Sequence, residues 1–101
     1  MALPYLGLGS VLFNSNEYEN AAKAFYKGKE IREQTIGYDQ ADTATCYNNY
    51  ASCLLKLGRY HEALDYFKLA EAILAAELGN FHERTLVVIF SLKILGKKKQ
   101  T

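Results

Sequence analysis

Apolar residues return along this chain at steps of three and four. Tyr47, Tyr50, Ala51, Leu54 and Leu57 fall on one face of a helix, and Tyr60, Ala63, Leu64, Phe67, Ala70 and Leu74 on one face of another. Gly58 separates the two, so the stretch reads as a helical hairpin. Asn16 holds the same place nearer the N-terminus, where Asn16-x-x-Glu19 has the form of a capping box for the helix that follows. Gly37 and Gly79 stand where long second helices must end in left-handed backbone, and Asp39 and Asn80-x-x-Glu83 offer the next N-caps. The pattern predicts helices over 3–15, 17–36, 41–57, 59–78 and 82–97.

The fifth prediction goes against local propensity, because Thr85-Leu86-Val87-Val88-Ile89-Phe90 is β-branched and alone resembles a buried strand. An internal repeat overrides it. At an offset of 42 residues eleven positions are identical: Ala2/Ala44, Tyr5/Tyr47, Ser10/Ser52, Leu12/Leu54, Tyr18/Tyr60, Ala21/Ala63, Phe25/Phe67, Ile31/Ile73, Gly37/Gly79, Thr43/Thr85 and Lys56/Lys98. Most are aromatic, small or glycine. A repeated packing unit requires that selection, since large residues fill the core, small ones let helices approach and surface positions drift.

Those residues resemble the tetratricopeptide repeat, and more closely the 42-residue variety of kinesin light chains. In the second unit the signature places hold Tyr47, Ala51, Leu54, Gly58, Tyr60, Ala63, Phe67 and Ala70; in the first they hold Tyr5, Gly9, Leu12, Asn16, Tyr18, Ala21, Phe25 and Gly28. The long segment Ile31–Gly37, followed by Asp39, Asp42, Ala44 and the pair Asn48-Asn49, is similar to the light-chain repeat. The chain departs from the pattern in lacking proline at the inter-unit turn, in Tyr50 for leucine and in Gly28 for alanine. Gly28 costs its helix about 0.5–1 kcal/mol against alanine.

The resemblance implies an all-α fold, a right-handed α-solenoid of helix-turn-helix hairpins with two and a half repeats in a single domain. The repeats span 1–40 and 41–81, with 82–101 forming the first helix of a third repeat or a capping helix.

Composition narrows the function. The 101 residues carry 12 Lys and Arg against 11 Asp and Glu, a net charge of +1, and the only basic cluster is Lys97-Lys98-Lys99, so a dedicated nucleic-acid surface is not expected. A chain of this size buries roughly 60–70% of its unfolded surface, enough for one modest core. The apolar start from Met1 to Phe13 lacks the basic opening and A-x-A exit of a secretory leader, and the run from Leu86 to Leu95 is broken by Ser91 and Lys93. A soluble, cytoplasmic protein with no membrane partner is the expectation.

Catalytic chemistry has little to start from. Gly7-Leu8-Gly9 follows no strand and has Leu12 where a dinucleotide fingerprint needs its third glycine, so a tight helix crossing at Gly9 is the better reading. His61 and His82 lack metal-ligand spacing and read as surface turn and helix-start residues. Glu30 and Glu33, among Lys29, Arg32 and Gln34, read as a solvated ion-pair face. Cys46 and Cys53 would lie about 10.5 Å apart along one helix and read as reduced core thiols between adjacent hairpins. No enzyme activity, cofactor or metal is expected.

Binding remains. First helices line the inner wall of a curved array, where peptides or partner helices can lie. By resemblance, the inward places of the second unit are Thr45, Asn48, Asn49, Ser52 and Lys56, and Asn49 is the sharpest candidate because its amide both donates and accepts. A structural hydrogen bond to the neighbouring hairpin is its alternative role. Leu3, Leu6, Gly7, Ser10 and Asn14 match in the first unit, and Val87, Phe90, Ser91 and Ile94 in the third. A carboxylate clamp of the chaperone-binding type is not expected, since Leu6, Ser10, Val87 and Ser91 stand where it needs lysine, asparagine and basic residues.

The flanks are apolar: Leu3, Leu6 and Phe13 at one end, Val87, Phe90 and Ile94 at the other, are candidate end interfaces. Two functions follow. One is a non-catalytic adaptor that binds a protein or peptide in the groove, alone or within a longer array of repeats. The other is an architectural subunit held in a large complex through its end helices. The light-chain resemblance places either in a cytoskeletal, ciliary or axonemal setting.

Overall fold

A computed structural model describes the backbone of residues 5–100 and the side chains of residues 7–96. It is all helix: α1 (Tyr5–Asn14), α2 (Tyr18–Thr35), α3 (Ala41–Lys56), α4 (Tyr60–Leu78) and α5 (Glu83–Gln100). Consecutive helices pack on one another, and α5 also touches α3, which is the stacking of a hairpin solenoid. The β-branched run Thr85–Phe90 is helical, as the repeat requires.

The 42-residue period is visible in the hydrogen bonds. At the α1–α2 turn the Asn16 N–H donates to the Phe13 carbonyl (3.0 Å) and the Glu17 N–H to that of Leu12 (2.9 Å); at the α3–α4 turn Gly58 bonds Leu55 (3.1 Å) and Arg59 bonds Leu54 (2.9 Å). Both turns close through one residue of positive φ, Asn16 at 65° and Gly58 at 81°. Such backbone suits glycine and, among the others, asparagine. Asn16 therefore ends the turn instead of capping α2: the N-cap is Glu17, without a side-chain cap bond, and the Asn16 Oδ1 accepts from the Tyr18 hydroxyl at 2.9 Å. The expected caps at Asp39 and Asn80 give way similarly. Gln40 caps α3 without a side-chain bond, and the His82 Nδ1 accepts the Arg84 N–H at 3.1 Å at the start of α5. Gly37 and Gly79 have the positive φ expected of them, 99° and 89°.

The core has two parts. The larger joins Ala44, Tyr47, Ala51 and Leu54 of α3 to Ala63, Phe67, Ala70, Ile73 and Leu74 of α4, with Val88 and Leu95 of α5. The smaller sets Ala21, Ala22 and Phe25 of α2 against Cys53, with Leu12, Phe13, Tyr50 and Leu57 packed around them. Gly9 is where α1 crosses closely: a Cβ placed there would lie 2.6 Å from the Phe25 ring.

Between the hairpins lies a buried polar group that contradicts the solvated reading of Glu33. Its carboxylate takes the Lys29 ammonium at 3.3 Å, with both side chains almost wholly buried, and accepts the Tyr47 hydroxyl at 2.7 Å. Lys29 also stands 4.3 Å above the Tyr26 ring. Tyr26, Tyr50 and Tyr66 continue the junction as an edge-to-face series with centroids 5.4 and 5.1 Å apart.

Gly9→Ala is expected to destabilise the protein by up to about 2 kcal/mol, because overpacking against the Phe25 ring outweighs a helix-propensity gain of about 1 kcal/mol; urea unfolding would measure it. Burial raises the Cys53 thiol to about 12 from 9.0 and also raises the Tyr47 hydroxyl. Below about pH 8 both groups are neutral folded and unfolded, so stability is unaffected by them. Above it the unfolded chain releases protons that the folded one holds, and stability should fall as pH rises through 9 towards 12. A pH series of thermal melts would show that alkaline decline.

Candidate functional site

The inner positions of the second unit stand on α3, which forms a ridge with a cleft on each side. Adjacent helical residues diverge by about 100°, so Asn48 and Asn49 line different clefts. Asn49 and Ser52 join Ser10, Phe13, Asn14 and Phe25 around a cleft of about 220 Å³ between α1 and α3. Thr45 and Asn48 join Leu74, His82, Glu83, Arg84 and Val87 around one of about 320 Å³ between α3 and α5. Six of the seven expected groove residues, Ser10, Asn14, Thr45, Asn48, Asn49 and Ser52, thus line two neighbouring clefts. Lys56 lies outside both, exposed, with its Nζ 6.0 Å from the Tyr18 ring.

The hydrogen bonds give this wall a polarity. Thr45 Oγ1 donates to the Ala41 carbonyl and Ser52 Oγ to that of Asn48, both at 3.0 Å. Their protons are committed to the helix, so the hydroxyl oxygens are left to act as acceptors. The Asn48 Oδ1 is buried and accepts no hydrogen bond from another described residue. Among the described residues, the Asn49 side chain makes no hydrogen bond to the neighbouring hairpin.

Phe13, expected at the N-terminal end face, is elsewhere. It is half-buried, meets Tyr18 edge-on at 5.2 Å and lines the inner cleft, because its position on α1 faces α2 and α3. Leu3 and the side chain of Leu6 lie outside the described residues. Leu8 and Val11 of α1 are exposed, as are Leu86, Val87, Phe90 and Ile94 of α5 and Phe81 ahead of it.

Three residues that sequence reasoning left out of the groove belong to its rim. His82, Glu83 and Arg84 enclose the α3–α5 cleft, and Arg84 reaches Asp42 at 3.2 Å. These two partners are one repeat apart, so the 42-residue register carried the clue.

A comparison with family models decides the family: the tetratricopeptide repeat model matches residues 1–76, three quarters of the chain. The chain belongs to the tetratricopeptide repeat family. This tetratricopeptide repeat chain has no match among curated proteins. Its family mediates protein–protein interaction and is typically non-catalytic. Among the described residues, no three His, Cys, Asp or Glu side chains group as metal ligands, and no helix is long and apolar enough to cross a membrane.

Cys46 and Cys53 are buried and free. Burial pushes both thiols above their ordinary range, for Cys46 against the lowering effect of Arg32. A thiol so placed is a poor nucleophile at neutral pH. Labelling by a disulfide reagent is therefore expected only through unfolding, at a rate that rises with urea; rapid reaction of either thiol in native buffer would contradict the placement.

Proposed function

We propose that the two clefts beside α3 form one binding groove for an extended segment of a partner protein, and that this chain is a non-catalytic adaptor. The observation that carries the reading is the pair of hydroxyl acceptors on α3, Thr45 Oγ1 and Ser52 Oγ, one turn to either side of Asn48 and Asn49, whose side chains line the two clefts. A peptide backbone is a row of N–H donors. Apolar walls flank that row, Phe13 and Phe25 on one side and Leu74 and Val87 on the other, and offer anchorage to alternate side chains of the bound segment. Asn49 supplies both a donor and an acceptor on the opposite slope.

The 42-residue period and the Asn48-Asn49 pair support a repeat of the kinesin-light-chain kind, and that likeness alone supports a cytoplasmic, cytoskeletal or ciliary setting. A second reading, an architectural subunit joined to neighbours end to end, is favoured by the exposed Leu8 and Val11 at one end and Leu86 and Phe90 at the other.

Selection from a random peptide library tests the adaptor. Peptides enriched on the wild-type chain are expected to lose about tenfold in affinity for Asn48→Ala or Asn49→Ala, the worth of roughly one hydrogen bond to a buried group, with thermal stability unchanged for Asn49→Ala. Peptides that bind both variants as well as wild type, or a library that yields none, would refute the groove.

A further inference from the structure

The two clefts beside α3 differ in charge. Among the described residues, the α1–α3 cleft is lined by hydroxyls, amides and the rings of Phe13 and Phe25, with no charged side chain. The α3–α5 cleft has Glu83 and Arg84 at its mouth. The Arg84 guanidinium is held by the Asp42 carboxylate at 3.2 Å, whereas Glu83 forms no ion pair with another described residue. These three charges leave an excess of one negative. The surrounding chain leans the same way: segments 38–48 and 70–92 carry Asp39, Asp42, Glu71, Glu77 and Glu83 against the single base Arg84. Charges within about 8–10 Å of the cleft act on its contents despite salt.

The interior of the α3–α5 cleft suits a cation on an aliphatic stem. Leu74 and Val87 are its apolar walls. Thr45 Oγ1 is left as an acceptor by its bond to the Ala41 carbonyl. An anion fares worse there. The positive end of the α5 dipole already has Glu83 in its first turn, the Arg84 N–H is taken by the His82 Nδ1 at 3.1 Å, and the guanidinium is engaged by Asp42. Lysine and arginine side chains carry donors and no acceptor, and they lay their stems on apolar surface while the head stays among polar groups.

We propose that the partner segment held beside α3 carries a lysine or arginine for the α3–α5 cleft and an uncharged apolar side chain for the α1–α3 cleft; this rests on the groove reading given above and names what the groove selects. The basic head meets the Glu83 carboxylate, its stem lies along Leu74 and Val87, and the apolar side chain sits against Phe13 and Phe25. Packed helix axes stand about 10 Å apart, so the centres of two clefts on either side of one helix are separated by about the same distance. An extended chain advances about 3.3 Å per residue. The basic and apolar residues of the partner are therefore about three positions apart.

Random peptides displayed on phage and selected on the full chain test this. The enriched peptides are expected to share one lysine or arginine about three positions from an apolar residue. Synthetic copies should bind Glu83→Gln about fivefold more weakly than wild type, the worth of one exposed ion pair, and bind more weakly still as sodium chloride is raised. Glu83→Lys should weaken them further, and a peptide with glutamate for its basic residue should recover binding to that variant, which shows that it is folded. Asp65→Lys changes the net charge equally on an exposed part of α4 that lines neither cleft, and should leave affinity within about twofold. Peptides that need Asn49 but carry no shared basic residue, or an acidic one, would overturn the proposal and leave the groove standing. Equal losses for Glu83→Lys and Asp65→Lys would overturn it in favour of unspecific attraction between charges. A library that yields no peptide would overturn the groove itself and this inference with it.

Discussion

The carboxylate of Glu33 joins the two hairpins. It lies where α2 meets α3, holds the Lys29 ammonium at 3.3 Å and accepts the Tyr47 hydroxyl at 2.7 Å. An almost wholly buried cation is tolerated only when paired, and removing one partner of such a pair costs about 3–5 kcal/mol. The group therefore contributes geometry more than net stability. Tyr47 also packs against Tyr66 and belongs to the larger core, so one hydroxyl links the ion pair to the packing of α3 on α4. The first unit can sit on the second in few other ways without stranding the Lys29 charge.

Function follows from that register. The clefts on either side of α3 exist because α1 and α5 are held at fixed distances from it, α1 through the contact of Gly9 with Phe25 and α5 through Val88 and Leu95 together with the Arg84–Asp42 ion pair. The ion pair is exposed and contributes little by itself, while the buried aliphatic contacts supply the adhesion. Inner-face hydroxyls that donate to their own helix leave a wall of acceptors. A shift of α2 against α3 would alter the spacing between Asn49 and Ser10 before it disturbed any helix.

Much of the fold was legible because a repeat converts weak local preferences into shared ones. The β-branched Thr85–Phe90 run would have been read as a strand without Thr43/Thr85 and Gly37/Gly79 in register. The period also placed Asn48 and Asn49 on an inner face. Two kinds of feature were not legible. Capping depends on backbone angles: Asn16 has the composition of an N-cap, yet it occupies the left-handed place that Gly58 fills one repeat later. Burial of a charge depends on what crosses over it. Lys29 and Glu33 have the spacing of a surface ion pair, and only the fold brings Tyr47 to the carboxylate. Phe13 illustrates the same limit, since its identity announces an apolar contact but not whether the contact is inward or outward.

Hydrogen exchange on Glu33→Ala tests most directly whether this carboxylate joins the two hairpins. The larger core lies wholly in α3, α4 and α5, whereas α1 and α2 depend on the smaller cluster and on the buried pair. Amides of α1 and α2 are predicted to lose protection equivalent to about 3–5 kcal/mol, while those of α4 and α5 keep most of theirs. Equal small losses along all five helices, or undiminished protection in α2, would show that the hairpins are held together by something other than this buried pair.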